Sequence, residues 1–226
     1  FMLKQIVLVF LIATNPSFSQ AISESTLPPI ESFQDGEWFQ LRLHYGPFNA
    51  SYASFSLQSD SLDNKAVFHA KGFGETTGIA KWFFKVEDYY ESYFDQKTSL
   101  PYKFVRDINE GGYTKNIEID FDHDKATASV HDKKKNEINK FSIKYGVQDL
   151  ISSFYFLIKF YPKKGVKFNE SFNINMFFDN ENYVFKLKNL GSETIRSKFG
   201  KIKCLKFRPF VQSGRVFEEQ ESVTLW

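Results

Sequence analysis

A single cysteine, Cys204, means that no disulfide can form within the chain, so folding has to rest on a packed core. The thiol lies between Lys203 and Leu205, far from the N-terminus, so the lipid-attachment cysteine of a bacterial lipoprotein is also missing. In that setting a lone cysteine reads as a small buried hydrophobe. Charge of one sign is lacking too. Lys and Arg number 29 against 27 Asp and Glu, and a formal net charge of +2 gives no global field to steer nucleic acid. No apolar run is long enough to cross a hydrocarbon core of about 30 Å, which excludes a helical transmembrane span after signal removal.

Catalytic signatures are equally scarce. His44, His69, His123 and His131 fall on separate strand signals and never pair as His-Glu-x-x-His, which argues against a zinc hydrolase. There is no Gly-x-Ser-x-Gly elbow. Gly72-Phe73-Gly74 has neither the Lys-Ser/Thr nor the helix of a phosphate loop. Asp120, Asp122, His123 and Asp124 are the one dense group of metal-ligand types, but the glycine and distal Glu of a calcium loop are absent and the group reads as a turn. Carboxylate neighbours such as Glu87-Asp88 and Glu118 with Asp120 read as solvated strand faces. No catalytic residue, metal ligand or cofactor is assigned, and an enzyme is not expected.

What the chain has in excess is aromatic residues, 18% of the total and including 27 Phe. These favour half-buried strand positions. The N-terminus reads as an export signal over residues 1–19. Lys4 supplies the positive region, Ile6 to Ala13 the apolar run, and Ser17-Phe18-Ser19 a cleavage site that leaves Gln20 first. Residues 20–35, with Pro28-Pro29, read as a flexible arm, and 36–226 as one β-rich domain. The abrupt stop at Val223-Thr224-Leu225-Trp226 suggests a chain truncated at its C-terminus.

Within the domain, Phe39, Leu41, Leu43 and Tyr45 alternate with Gln40, Arg42 and His44, the period of a sheet with one wet face. Further strands are expected over Phe48–Leu57, Ala66–Lys71, Tyr89–Asp95, Tyr102–Asn109, Tyr113–Phe121 and Lys125–His131. Glu110-Gly111-Gly112 makes a hairpin turn between two of them. Gly78–Lys85 is open between helix and strand, and Asp132–Asn136 reads as a loop tip. Val147 to Tyr161 carries Leu150, Ile151, Phe154, Leu157 and Ile158 at helical spacing, with Tyr155, Phe156 and Phe160 on its other side. It is expected to form a helix buried nearly all round. Strands resume at Glu170–Phe178, Tyr183–Lys188, Gly191–Arg196, Ile202–Val211 and Val216–Trp226. The expected fold is mainly β: a strongly curved antiparallel sheet, a half-barrel or open barrel, with one or two helices on its inner face.

Arg106-Asp107 and Arg208-Pro209 set an arginine in aromatic surroundings, where it can form an internal ion pair or meet a ligand's acidic head group. The helix stripe including Phe154 and Tyr155 can be core or ligand wall. Candidate ligand-binding residues are therefore Arg106, Tyr113, Phe154, Tyr155 and Phe156.

Several stretches resemble the domain of unknown function 3108 family of exported bacterial proteins. They are Gly36-Glu37 through Tyr45-Gly46, Arg106-Asp107-Ile108-Asn109-Glu110-Gly111-Gly112-Tyr113, Phe121-Asp122-His123, Val147-Gln148-Asp149-Leu150-Ile151-Ser152-Ser153-Phe154-Tyr155, Gly200 to Phe207, and Gly214-Arg215-Val216-Phe217. The resemblance covers nearly all of the chain after the signal and implies a fold similar to periplasmic lipoprotein carriers, which hold acyl chains between sheet and helix. It implies residence in the periplasm or at the outer-membrane periphery of a Gram-negative bacterium, and further strands beyond Trp226. It brings no catalytic residues. Two functions follow as expectations: binding or carrying a lipid or other apolar ligand, and a structural or interaction role with an envelope protein partner and no small-molecule ligand.

Overall fold

The computed structural model describes residues 6–9, 33–45, 48–78, 80–160, 167–197, 200–210 and 224–225. Its strands are β1 (Ile6–Val9), β2 (Trp38–Tyr45), β3 (Phe48–Leu62), β4 (Lys65–Thr76), β5 (Val86–Asp95), β6 (Pro101–Glu110), β7 (Tyr113–Asp122), β8 (Thr127–Asp132) and β9 (Glu137–Ser142). After these come β10 (Ser171–Phe178), β11 (Glu181–Ser197), β12 (Gly200–Phe210) and β13 (Thr224–Leu225). Two helices interrupt them, α1 (Ala80–Phe83) and α2 (Ser152–Phe160).

The strands hydrogen-bond in the order β10-β11-β12-β13-β1-β2-β3-β4-β5-β6-β7-β8-β9. Every neighbouring pair is antiparallel except β1 with β13. From β2 to β9 the chain is a plain meander, the cheapest way to pair strands in sequence order. Its turns use residues that tolerate positive φ. Asp63-Asn64, Gly111-Gly112 and Asp179-Asn180 each put two such residues between strands, which matches the twist of the flanking strands. Near Gly191, at φ 88°, the β11–β12 ladder shifts register, so the two strands expected over Tyr183–Lys188 and Gly191–Arg196 are one bulged strand.

Alternation sorts the two faces as the sequence suggests. Phe39 and Leu41 are buried while Trp38 and Gln40 are exposed. Leu57, Ala70, Phe94, Phe104, Ile117, Ile119, Phe121, Ala128 and Val130 cover the inner face, and Val147, Ile151 and Tyr155 descend onto it. Gly72 is the landing point for this descent. A Cβ there would sit 3.1 Å from Ile151 Cδ1 and 3.3 Å from the Phe55 ring.

Four expectations need correction. The helix begins at Ser152 rather than Val147, because Gln148 is engaged elsewhere. Its amide donates to the Asn175 carbonyl at 2.8 Å and its carbonyl accepts from the Phe177 amide at 3.0 Å, extending the sheet beside β10. The helix is not buried nearly all round, since Ser152, Ser153 and Tyr155 are buried but Phe160 is exposed. At the end of the expected flexible arm, Phe33 is anchored in the core and Asp35 is tied to β3, although Gln34 and Asp35 stay exposed. Phe33 sits in the core against Phe68, Phe94 and Tyr155, and Asp35 accepts from the Ser59 amide at 2.5 Å. Finally, β9 had no counterpart in the sequence reading.

The rest of the arm, most of the export signal and most of Val216–Trp226 lie outside the described residues. Within the segment expected to be an export signal, Ile6–Val9 pairs with β2 and β13.

Candidate functional site

Three turns of the meander fall at one end of the sheet: β4–β5, β6–β7 and β8–β9. The first holds α1 and displays Trp82, Phe83 and Phe84, which are 91%, 85% and 54% exposed. A hydrogen-bonded staple holds this tip in place. Thr76 Oγ1 donates to the Phe84 carbonyl at 3.1 Å and accepts from the Val86 amide at 3.0 Å. The Gly111 amide donates to the Lys85 carbonyl at 2.7 Å, and the Phe84 ring lies over Gly111, where a Cβ would collide with it. Tyr113 and Tyr89 are also exposed near this end. The β8–β9 turn, Lys133-Lys134-Lys135-Asn136, closes the row: Lys134 Nζ reaches Thr114 Oγ1 and the Lys133 amide donates to the Asn116 carbonyl. Large contiguous apolar groups left in water mark a contact surface.

Behind this rim, on the inner face, lies the cleft around Arg106. The Asp179-Asn180 turn of β10–β11 reaches across to it. Asp179 Oδ1 accepts from Arg106 at 2.8 Å and from Lys115 at 2.6 Å. The Arg106 guanidinium stacks on the Phe178 ring at 4.6 Å. Burial raises the Asp179 carboxyl, but the two cations outweigh it and hold it below the usual carboxylate range. Next to Arg106, burial and then the Glu110 carboxylate push Asp88 up to about 6, and burial pushes the Tyr90 phenol to about 12. The cleft has a volume of about 20 Å³, lined by Phe104, Ile117, Ile119 and the Arg106–Asp179 pair. That is room for a water molecule.

The other candidate residues fall in separate surroundings. Tyr155 is fully in the core, stacked on Phe94 at 5.2 Å, and burial pushes its phenol up. Phe154 leans on Phe55 at 5.8 Å, and Phe156 packs on Phe160 at 4.8 Å. Arg106 meets Asp179 rather than its neighbour Asp107. Tyr113 stands on the exposed rim.

Two polar arrangements escaped the sequence reading. On the outer face His69 lies between Glu91 at 2.6 Å and Asp60 at 3.6 Å, stacked on Tyr93 at 3.9 Å. Only the β3–β4–β5 register, which pairs His69 with Tyr93, brings these together. In the core, Asp149 accepts from Ser92 Oγ at 2.6 Å and from the Ile151 and Ser152 amides at 2.8 and 2.7 Å. Ser152 Oγ in return accepts from the Asp149 amide at 3.0 Å, a capping box that starts α2 and ties it to β5. The Asp–His–Asp stretch serves turns. Asp122 binds Lys125, and His123 Nε2 meets the Pro101 carbonyl at 2.8 Å. No group of three or more His, Cys, Asp or Glu suited to a metal ion occurs among the described residues. No described helix is long and apolar enough to cross a membrane.

No curated protein and no solved structure matches the chain. One family model does, over residues 40–226, which takes in the rim, the Arg106 cleft and the capped helix. The chain belongs to that family, the proteins of unknown function DUF3108.

Proposed function

We propose that this protein is exported to the envelope of a Gram-negative bacterium and works there by surface contact, not by carrying a ligand inside its sheet. The tight packing of the core among the described residues is the observation that carries this reading. Tyr155, Phe94, Phe104, Phe177, Leu57 and Ile151 are essentially without solvent exposure, and the cleft beside them is water-sized. A cavity for a drug-sized or acyl ligand occupies roughly 300 Å³ or more. Lipid carriage would require Ile151 to leave Gly72 and the capped start of α2 to leave β5. Export is supported by the Lys4, Ile6–Ala13 and Ser17-Phe18-Ser19 pattern.

A sheet wrapped round α2 as a half-barrel fits the same picture. Its support is that β10 and the start of β11, at one end of the strand order, touch β7 and β9 towards the other end. Phe177 packs on Phe121 and Phe141 at 6.1 and 5.9 Å, and Asn182 donates to the Ser142 carbonyl at 2.8 Å. The aromatic rim is then the surface offered to the surroundings.

The test is to purify the protein from a periplasmic fraction without detergent and weigh both the intact chain and its organic extract. An N-terminus at Gln20 and an extract free of stoichiometric lipid are expected. A lipid present at one per chain would return the carrier reading, and an uncleaved chain confined to the cytoplasm would sink export.

A further inference from the structure

We infer that the rim formed by the β4–β5, β6–β7 and β8–β9 turns is a membrane-contact surface, which seats the protein on an anionic bilayer with Trp82, Phe83 and Phe84 inserted at the interface. The inference rests on the surface-contact reading above and names the partner of that surface. Three consecutive aromatic residues stand out at the tip of the β4–β5 turn, the first two of them almost wholly in water. Trp buries an apolar ring at the headgroup boundary while its N–H stays wet, and Phe adds purely apolar area to the inserted face. Lys81 and Lys85 flank them on both sides, as interfacial anchors do, with stems that can lie along lipid while the ammonium groups stay at the phosphates.

Charge placement selects the lipid. The turn segments 77–85, 111–112 and 133–136 together carry Lys81, Lys85, Lys133, Lys134 and Lys135 and no carboxylate. The acids begin at the strand ends, where Glu110, Asp132 and Glu137 adjoin these turns, and continue along the strands. There Glu87 meets Lys85 at 2.8 Å, Glu118 meets Lys133 at 2.9 Å, and Asp132 lies 3.8 Å from Lys135. The outermost layer is thus aromatic and cationic even though the whole chain is nearly neutral. A surface of anionic phosphates meets that layer first, and the attraction fades within about a Debye length of roughly 10 Å. The Thr76 staple and the Phe84–Gly111 contact hold the tip in its exposed form, so little ordering is left to be done on contact.

Sedimentation of the purified chain with phosphatidylethanolamine vesicles, with and without phosphatidylglycerol, tests this. The chain should pellet with the vesicles, more strongly when phosphatidylglycerol is present and less strongly in high salt. Trp82→Ser with Phe83→Ser should weaken partitioning at least about tenfold at any salt, without changing the melting temperature of these exposed positions. Lys133→Gln, Lys134→Gln and Lys135→Gln together should weaken the preference for phosphatidylglycerol and leave the salt-independent partitioning in place. Failure of the wild-type chain to pellet, or equal pelleting of the aromatic variant, would overturn the inference. A photo-crosslinker at Phe83 in growing cells provides the second arm. Lipid adducts support the bilayer. Protein adducts overturn it while leaving surface contact standing, and a lipid-loaded extract is what would remove that broader reading.

Discussion

Asp149 concentrates the consequences of burial in one side chain. Burial raises its carboxyl to about 6, against hydrogen bonds from Ser92, Ser152 and Ile151 that favour the charged form. An ordinary aspartate titrates at 3.8. Between those values the folded chain holds a proton that the unfolded chain has released. The stability tied to this group is therefore complete below roughly pH 4 and is lost as pH rises through about 6. The gap corresponds to about 3 kcal/mol. Asp149→Asn removes the titration and keeps a side chain able to cap α2. Denaturant unfolding of both chains should show the variant gaining on the wild type by about 3 kcal/mol between roughly pH 4 and pH 7. A difference that stays constant with pH would refute the assignment. The helical spacing around Asp149 gave no sign of its partner Ser92, which is 57 residues away in the chain. The His69 group was hidden for the same reason, since Asp60, His69 and Glu91 meet only once three strands are in register.

Secondary-structure elements were legible where their two faces differ. The alternation in β2 and the glycine pair of the β6–β7 hairpin both took the form that their residue types prescribe. Strand β9 did not, because Glu137-Ile138-Asn139-Lys140-Phe141-Ser142 half-buries only Phe141 and leaves the rest, Ile138 included, in water, with Glu137 and Lys140 as the charges of an edge strand. The start of α2 was misplaced because Val147, Leu150 and Ile151 are apolar for a tertiary reason, the contact of segment 147–151 with β10 and Gly72. Helical spacing alone could not separate those causes. The β6–β7 turn allows an element-scale test. Gly111 has φ 58° and no room for a Cβ beneath Phe84. Gly111→Ala should cost about 1–2 kcal/mol for the left-handed backbone, plus a further part that is relieved when Phe84→Ala is made in the same chain. A double-mutant cycle by chemical denaturation measures that part, and strict additivity would mean that Phe84 does not rest on the turn.

For the whole molecule the question is what holds the two halves of the strand order together. Strand β1 joins β13 to β2, yet it lies in the segment expected to leave with the export signal. Its removal would part the hydrogen-bond ladder between β10–β13 and β2–β9. The halves would keep a second junction. Gln148 bridges to β10, Phe177 packs on Phe121 and Phe141, Asp179 accepts from Arg106 and Lys115, and Asn182 links to the β9 terminus. Phe177 is fully buried at its centre, and truncating such a side chain costs about 3–5 kcal/mol. A chain beginning at Gln20 should therefore still unfold in one transition, with coincident fluorescence and circular dichroism. The same chain carrying Phe177→Ala should lose about that energy and separate the two probes, because the remaining junction is then mostly polar and exposed. In the chain that retains β1, Phe177→Ala should lower the midpoint while the two probes stay together. Separation of the probes in the Gln20 chain with Phe177 intact would show that β1, and not the β10 junction, is what makes the sheet one cooperative unit.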